Sequence, residues 1–501
     1  MVTRLSKADA MRMLLQNSAI PAHTVSVIVI EPSDRLSHQR IHRMLGSSLP
    51  QLARFRSKLV GKPLGMGQPL WAQIDDYDPA SQIHSATIDA PGGPREFDDF
   101  IAQLSTRPYG RPETLWEAWS IDGLTGGHWA VAVKMSPALN DGGVGAVSMW
   151  SRLLRSGSPN DPAKGQLTQP SLGTLRPREL VTDTMTELVE NYVSGLWLAV
   201  AALSDLLRVG HRQWRGTSEP DPTPAAVSSM SGPVPHNVFN APLTERRAVA
   251  FASISLADLR AVSYAFGGTV TNVLLASCTM SLRAWLQRHD NVPDHPLLIQ
   301  MPFALSRSNS ITFGDPLGSM GIRIPVQLDD PVQVLTNLHT AAECLNIART
   351  HDCEKDCPSF DLTHIAALLP PAVVRAGIRL YAASGIRQRH RASCHGTLSF
   401  VSGQPAPAYC GGAKVVGMHT VAPLREGCGL GITLTARGDA MDVSVCVCPD
   451  NVPAVGEIAT GMAESVDMLL AAAEKSPRGQ GRSVVTRMTS HVPRGSRSWH
   501  P

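Results

Sequence analysis

The run Val131-Ala-Val-Lys-Met-Ser-Pro-Ala-Leu-Asn-Asp-Gly142 brings a hydroxyl, a carboxylate and a glycine together at the end of an apolar strand pattern. Trp129, Val131, Val133 and Met135 alternate with other residues as strand side chains do, and Ser136-Pro137 ends the alternation. Pro137 fixes its own φ and pushes Ser136 toward an extended backbone. A nucleophilic Ser136 would need an adjacent base and an oxyanion site, and no Gly-x-Ser-x-Gly turn surrounds it. Asp141 suits the N-cap of the helix that begins at Gly142, and a free carboxyl with pKa near roughly 3.9 is a poor proton acceptor unless burial raises it.

The other groups with acid-base or metal chemistry are more scattered. His128 starts the strand that ends at Ser136, which separates the two by roughly 25 Å if the strand is extended. His395 and His419 lie in the second half, where the chain gives them no geometry and a structural or surface role is expected. His351-Asp-Cys-Glu-Lys-Asp-Cys357 offers one histidine and two cysteines, but no second ligand pair completes the four donors that structural zinc takes, so a polar loop is expected. Cys446 and Cys448 fall on one strand face, opposite Val445 and Val447, as packed small side chains.

Elements that must position these groups are readable from their periods. Strands are expected over Thr24 to Ile30, His128 to Met135, Arg247 to Ile254 and Gly321 to Val326, the last held to an edge or a strand end by Pro325. Leu430 to Leu434 and Met441 to Val447 alternate around Arg437-Gly438-Asp439, a hairpin pattern. Helices are expected over Gly143 to Leu154, roughly Pro177 to Trp214, Thr271 to His289 and Val332 to Arg349. Ser156 to Ser171 reads as a surface loop.

Length and composition set the frame. At 501 residues, with 43% apolar and 17% charged residues, the chain suits two globular domains. The expected division is 1–214, a linker over 215–235 where Gly, Ser and Pro dominate, a second domain over 236–474, and a mobile basic tail over 475–501. That tail carries six Lys or Arg and no acid. A net charge of +3, with no aromatic-plus-basic motif, argues against nucleic acid as a partner. No export signal is read at the N-terminus, so a cytoplasmic protein with reduced cysteines is expected. Asn191 to Ser204 is uncharged and apolar for fourteen residues, short of the ~20 that span a bilayer. It reads as a buried helix at the domain junction or as a helix lying on a membrane surface.

Landmarks along nearly the whole chain resemble those of the bacterial wax ester synthase/diacylglycerol acyltransferase family. Leu5-Ser-Lys-Ala-Asp-Ala10, Pro69-Leu-Trp71 with Asp75-Asp-Tyr-Asp78, and Leu115-Trp-Glu117 through Gly123-Leu-Thr-Gly-Gly127 occur in the family's order. Asn240-Ala-Pro242, Arg246 to Phe251, Ala265 to Thr269 and Leu328 to Pro331 follow in the second half. Ser136-Pro137 and Asp141-Gly142 then stand where the family has His-His-x-x-x-Asp-Gly. Thr271-Asn272 stands for Asn-Asp, Ser399-Phe-Val-Ser-Gly403 for Ser-Asn-Val-Pro-Gly, and Gly429-Leu-Gly431 for Gly-Leu-Asn.

The resemblance implies an α/β fold of two chloramphenicol acetyltransferase-like domains with the site at their junction. It implies acyl-CoA as substrate, no cofactor, no metal, and diacylglycerol or a long-chain alcohol as acceptor, with a peripheral membrane or lipid-droplet surface as a further partner. It implies a structural role for Asp141 and places the family's catalytic histidine at Pro137, which has no titratable group. Two expectations follow: an O-acyltransferase of triacylglycerol or wax ester synthesis that has lost its usual base, or a non-catalytic protein that binds lipid or acyl-CoA.

Overall fold

Thr24–Ile30 reads Thr-Val-Ser-Val-Ile-Val-Ile, and a segment apolar on both faces belongs in the middle of a sheet covered on both sides. In the computed structural model it is β1, a fully buried strand. The structure describes residues 3–6, 9–10, 13, 20–62, 67–74, 77–110, 114–140, 144–156, 178, 180–187, 235–304, 317–352, 394–403 and 407–475. The expected linker up to residue 234, the run Asn191 to Ser204, Cys353 and Cys357, Asp141 and Gly142, and the tail beyond Lys475 lie outside them.

The first sheet has seven strands in the order β4 (Ile83–Thr87), β5 (Trp116–Asp122), β6 (Trp129–Met135), β1, β13 (Ala413–Val421), β12 (Ala408–Cys410) and β7 (Arg155–Ser156). The second has six, in the order β10 (Leu317–Ile324), β9 (Leu297–Ala304), β11 (Gly396–Val401), β14 (Leu430–Arg437), β15 (Ala440–Val447) and β8 (Ala248–Ser255). A hairpin of β2 (Ser57–Val60) and β3 (Leu70–Gln73) stands apart. Strands β12 and β13 come from the second half of the chain yet pair into the first sheet, β13 antiparallel to β1 with Val25 opposite Val421. The fold is mixed α/β with two sheet-containing lobes.

Several expected elements are present with small shifts at their ends. The helix expected from Thr271 runs over Val270–His289, and Leu275, Cys278, Leu282 and Trp285 are buried on it at helical spacing. The extended segment near Pro325 is β10, an edge strand that stops one residue before the proline, whose missing N–H ends the ladder. The hairpin turn falls at Gly438-Asp439, and Gly438 takes a left-handed φ of 49° that a side chain would oppose. Arg155–Ser156 is a short strand rather than the start of a loop.

Three buried clusters set the layers. On one face of the first sheet, Ile28, Ile30, Val131, Val133 and Met135 pack with Ile41 and Leu45 of α1 (His38–Ser48) and with Met149 and Trp150 of α4 (Val144–Leu153). On the outer face of the second, Val443, Val445 and Val447 pack with Leu275 and Trp285 of α6 (Val270–His289) and with Ile458 and Met462 of α8 (Val455–Lys475). Between the sheets, Val25, Val27, Ala130, Ala132 and Phe97 of the first half meet Val249, Phe251, Val421, Cys446 and Cys448. Phe97 rides on α2 (Pro94–Thr106). Cys446 and Cys448 thus sit on the face opposite the valines, in the core shared by both lobes.

Candidate active site at the end of β6

Strand alternation decides what the end of β6 can face. Ala130 and Ala132 point into the core between the lobes, while Val131, Val133 and Met135 point the other way. Lys134 shares the parity of the two alanines, so the strand carries it on their side, and Ser136 follows the strand's last residue. Ser136 is 4% exposed, and its N–H donates to the Leu115 carbonyl at 2.8 Å. Pro137 opens the four-residue helix α3 (Pro137–Asn140), where its missing N–H leaves no intrahelical bond unmade. It is buried, as are Ala138 and Leu139 behind it.

Charged and aromatic groups gather beside this turn. Lys134 is fully buried and pairs with Glu117 of β5 at 3.0 Å, its cross-strand partner. The ammonium also donates to the Arg107 carbonyl at 3.0 Å and lies 4.4 Å from the centre of the Tyr109 ring. Glu117 Oε1 accepts the Gly110 N–H at 2.7 Å, which ties the 107–110 segment over the pair. Tyr109 donates its hydroxyl toward the Leu115 carbonyl at 3.4 Å, the same oxygen that receives the Ser136 N–H. Burial pushes the Lys134 ammonium below its ordinary range, against the opposing pull of Glu117, and pushes the Tyr109 phenol well above its own.

His23, the residue before β1, completes the cluster. β1 pairs with β6 through Thr24 opposite Met135 and Val25 opposite Lys134, so His23 and Ser136 each stand one residue beyond the same end of that ladder. Its ring meets Tyr109 edge to face, with centroids 4.6 Å apart. Its Nδ1 is enclosed without a hydrogen-bond partner among the described residues. Burial, reinforced by the Lys134 charge and opposed by Glu117, lowers its pKa to about 4.

The histidines weighed from sequence lie elsewhere. His128 precedes β6 at the end far from Ser136, with Nδ1 3.0 Å from the Thr125 carbonyl. His395 is buried, accepts the Leu298 N–H on Nδ1 at 2.9 Å and donates from Nε2 to the Pro235 carbonyl at 3.0 Å. Both nitrogens are committed to backbone, and burial lowers its pKa to about 4. His419 is buried in the shared core against Phe251, centroids 4.4 Å apart, and burial lowers its pKa too.

The second-half positions fall at two places. Thr271 and Asn272 belong to the first turn of α6, where the Thr269 hydroxyl accepts the Asn272 N–H at 3.3 Å and donates to Asn272 Oδ1 at 3.0 Å. Asn272 Nδ2 is 2.9 Å from His339 Nδ1 of α7 (Pro331–Asp352). Ser399 lies on β11 opposite Thr433, and Phe400 beside it is 40% exposed. Gly431 pairs with Thr397 and with Cys446. Gly403 follows β11 so closely that an added Cβ would stand 1.4 Å from the Ala436 carbonyl oxygen. Among the described residues no hydrogen bond joins these positions to Ser136. No three His, Cys, Asp or Glu side chains among the described residues converge on a possible metal position.

Reasoning along the sequence passed over His23, Tyr109, Lys134 and Glu117. Lys134 and Glu117 carried the one local signal, opposite charges set into two apolar strands.

Comparison with known proteins accords with this architecture. Residues 5–274 match the model of the wax ester synthase/diacylglycerol acyltransferase catalytic domain, and residues 313–470 match that family's C-terminal domain. A Mycobacterium tuberculosis (strain H37Rv) protein named as a candidate diacylglycerol O-acyltransferase is 26% identical over 492 residues, covering 95% of this chain and 92% of its own. A second from that strain, named likewise, is 27% identical over 464 residues, covering 92% and 94%. The wax ester synthase/diacylglycerol acyltransferase of Marinobacter aquaeolei VT8 superposes with a TM-score of 0.63 at 21% identity, over 94% of this chain and 100% of that one. The first condensation domain of the calcium-dependent antibiotic synthetase superposes with a TM-score of 0.54 at 14% identity, over 96% and 99%. These likenesses show the chloramphenicol acetyltransferase-like fold. With both of its domain models matched along the chain, this protein belongs to the wax ester synthase/diacylglycerol acyltransferase family, whose acyltransferases take acyl-CoA as substrate.

Proposed function

We propose that this chain transfers an acyl group from acyl-CoA to the hydroxyl of diacylglycerol or a long-chain alcohol, and that it does so without an imidazole at position 137. The observation that supports the reading is the burial of Ser136 and Pro137 at the end of β6, a strand whose Ala130 and Ala132 face the core between the lobes. The names of the mycobacterial relatives support diacylglycerol as the acceptor.

An attacking hydroxyl must lose its proton as the ester bond forms, and a general base is typically worth about 10²- to 10⁴-fold in rate. Positioning and oxyanion stabilisation act independently of that base, so a slow enzyme is the expected outcome. In this reading Asp141 and Gly142 are the retained part of the family's motif. Thr271, Asn272, Ser399, Gly403 and Gly431 shape the second lobe's side of the site. The division into 1–214 and 236–474, joined by 215–235, is the arrangement we favour, with β12 and β13 of the second part completing the first sheet. A cytoplasmic protein that meets its lipid at a membrane or droplet surface fits the basic 475–501 tail, which would be drawn to anionic headgroups.

A second reading, a protein that binds acyl-CoA or lipid without turnover, is favoured by one fact, that Pro137 has no titratable group. Incubating the full chain with palmitoyl-CoA and a diacylglycerol or hexadecanol separates the two. Transfer releases free CoA and ester in equal amounts, above an enzyme-free control. Saturable palmitoyl-CoA binding with no ester above that control would reject the enzyme reading.

A further inference from the structure

We propose that His23 is the catalytic proton acceptor of this chain, receiving the acceptor alcohol's proton on Nδ1 in place of the imidazole that position 137 lacks. The inference rests on the acyl-transfer reading and names the group that would serve it.

Three geometric facts place His23 at the vacated motif. The β1–β6 register ends at the Thr24–Met135 pair, and His23 and Ser136 are the next residue of each chain segment beyond it. Its ring packs on Tyr109 at 4.6 Å, and Tyr109 and Ser136 direct their donors to one carbonyl, that of Leu115. The His23 ring and the Lys134 ammonium both lie against Tyr109, and the Lys134 charge acts on the ring, so the imidazole belongs to the Lys134–Glu117 cluster beside Ser136. The imidazole therefore lies at the same end of the β1–β6 pair as the turn that holds Pro137.

The enclosed Nδ1 is an unmet polar atom. Buried ring nitrogens nearly always find a partner, and those that do not call for an explanation such as a ligand or a catalytic role. A substrate hydroxyl would supply the missing hydrogen bond. The titratable and charged groups around the ring are Tyr109 from the 107–110 segment, Lys134 from β6 and Glu117 from β5. Burial and the Lys134 charge keep the ring neutral at pH 7, the state able to take a proton, and make it a weaker base than free imidazole.

The step balances without any further reactant. The alcohol oxygen attacks the thioester carbonyl carbon as its proton passes to Nδ1. The C–O bond is formed, the C–S bond breaks as the tetrahedral intermediate collapses, and the imidazolium returns the proton to the departing thiolate. Ester and free CoA are the products.

The test measures kcat and KM for palmitoyl-CoA and a diacylglycerol with the full-length wild type and the His23→Gln and His23→Ala variants. Loss of the base is expected to lower kcat about 10²-fold or more in both, with KM for palmitoyl-CoA within about twofold of wild type. If the wild type transfers acyl groups and His23→Gln keeps its kcat, the proposal is overturned and the acyl-transfer reading stands. If the wild type makes no ester, both fall. A pH–rate profile separates His23 from other groups: for the wild type it is expected to be flat from pH 6 to 9. An inflection near pH 6.5 that persists in His23→Gln would overturn the assignment, because it marks a proton acceptor other than His23.

Discussion

Glu117 and Lys134 face each other across β5 and β6 at 3.0 Å with almost no solvent around them. Two opposite charges enclosed together tolerate burial only as a pair, since each offsets the desolvation of the other. Glu117→Ala strands the ammonium and is expected to destabilise the protein by about 3–5 kcal/mol in urea unfolding. The double change Glu117→Leu with Lys134→Met removes both charges and is expected to cost far less than the single change. Equal losses from the single and double variants would show that the pair's charges do not depend on one another.

The two lobes are joined through a second buried carboxylate. Asp442 on β15 accepts the Met418 N–H of β13 at 2.8 Å, the Ser253 hydroxyl of β8 at 2.7 Å and the Arg437 Nε of β14 at 2.7 Å. Asp442→Ala removes the shorter of the two ion pairs of Arg437 and leaves two donors unmet where β13 crosses to the first sheet. A loss of about 3–5 kcal/mol is expected, read from the urea midpoint. Asp442→Asn should be milder, because the amide oxygen still accepts.

Acid should weaken the fold through His395. Its folded pKa of about 4 lies below the ordinary histidine value of 6.5, so between those values the unfolded chain binds the extra proton. Stability from this group is complete above about pH 6.5 and is lost as pH falls toward 4, by about 3 kcal/mol at the lower end. Urea midpoints measured at pH 7 and pH 5 should fall for the wild type, and fall less for His395→Gln.

Gly403 illustrates a position where any side chain meets backbone. A Cβ there would stand 1.4 Å from the Ala436 carbonyl, so Gly403→Ala must push the end of β11 away from β14. About 1–3 kcal/mol of destabilisation is expected, seen as a lower melting temperature. An unchanged melting temperature would mean that the loop moves aside freely.

Local pattern made some of this architecture legible and left the rest hidden. The both-faces-apolar run of β1, the alternation of β14 and β15 and the 3.6-residue stripe of α6 are short-range signals, and each element formed where its period lay. The strand at Ala413–Val421 carries no mark of which sheet it joins, because pairing with β1 is a contact across nearly four hundred residues. Proline's lack of a proton site is a property of the residue itself, but that Pro137 stands at a histidine position is implied only by the family resemblance. His23 was not readable, because an isolated histidine before a strand gains meaning only when the β1–β6 pairing brings it to the end of the ladder where Ser136 lies. Lys134 and Glu117 are intermediate cases, two charges in apolar strands whose pairing needed the register between β5 and β6.

Pro137 stands where the family resemblance puts the catalytic histidine, within the acyl-transfer site proposed above. Initial rates of triacylglycerol formation from palmitoyl-CoA and a diacylglycerol, taken side by side for the wild type and Pro137→His, test it most directly. Slow ester formation by the wild type and a rise of about tenfold or more in kcat for Pro137→His, with KM little changed, is the expected result. No ester above the enzyme-free rate from either protein, with palmitoyl-CoA bound by both, would contradict it.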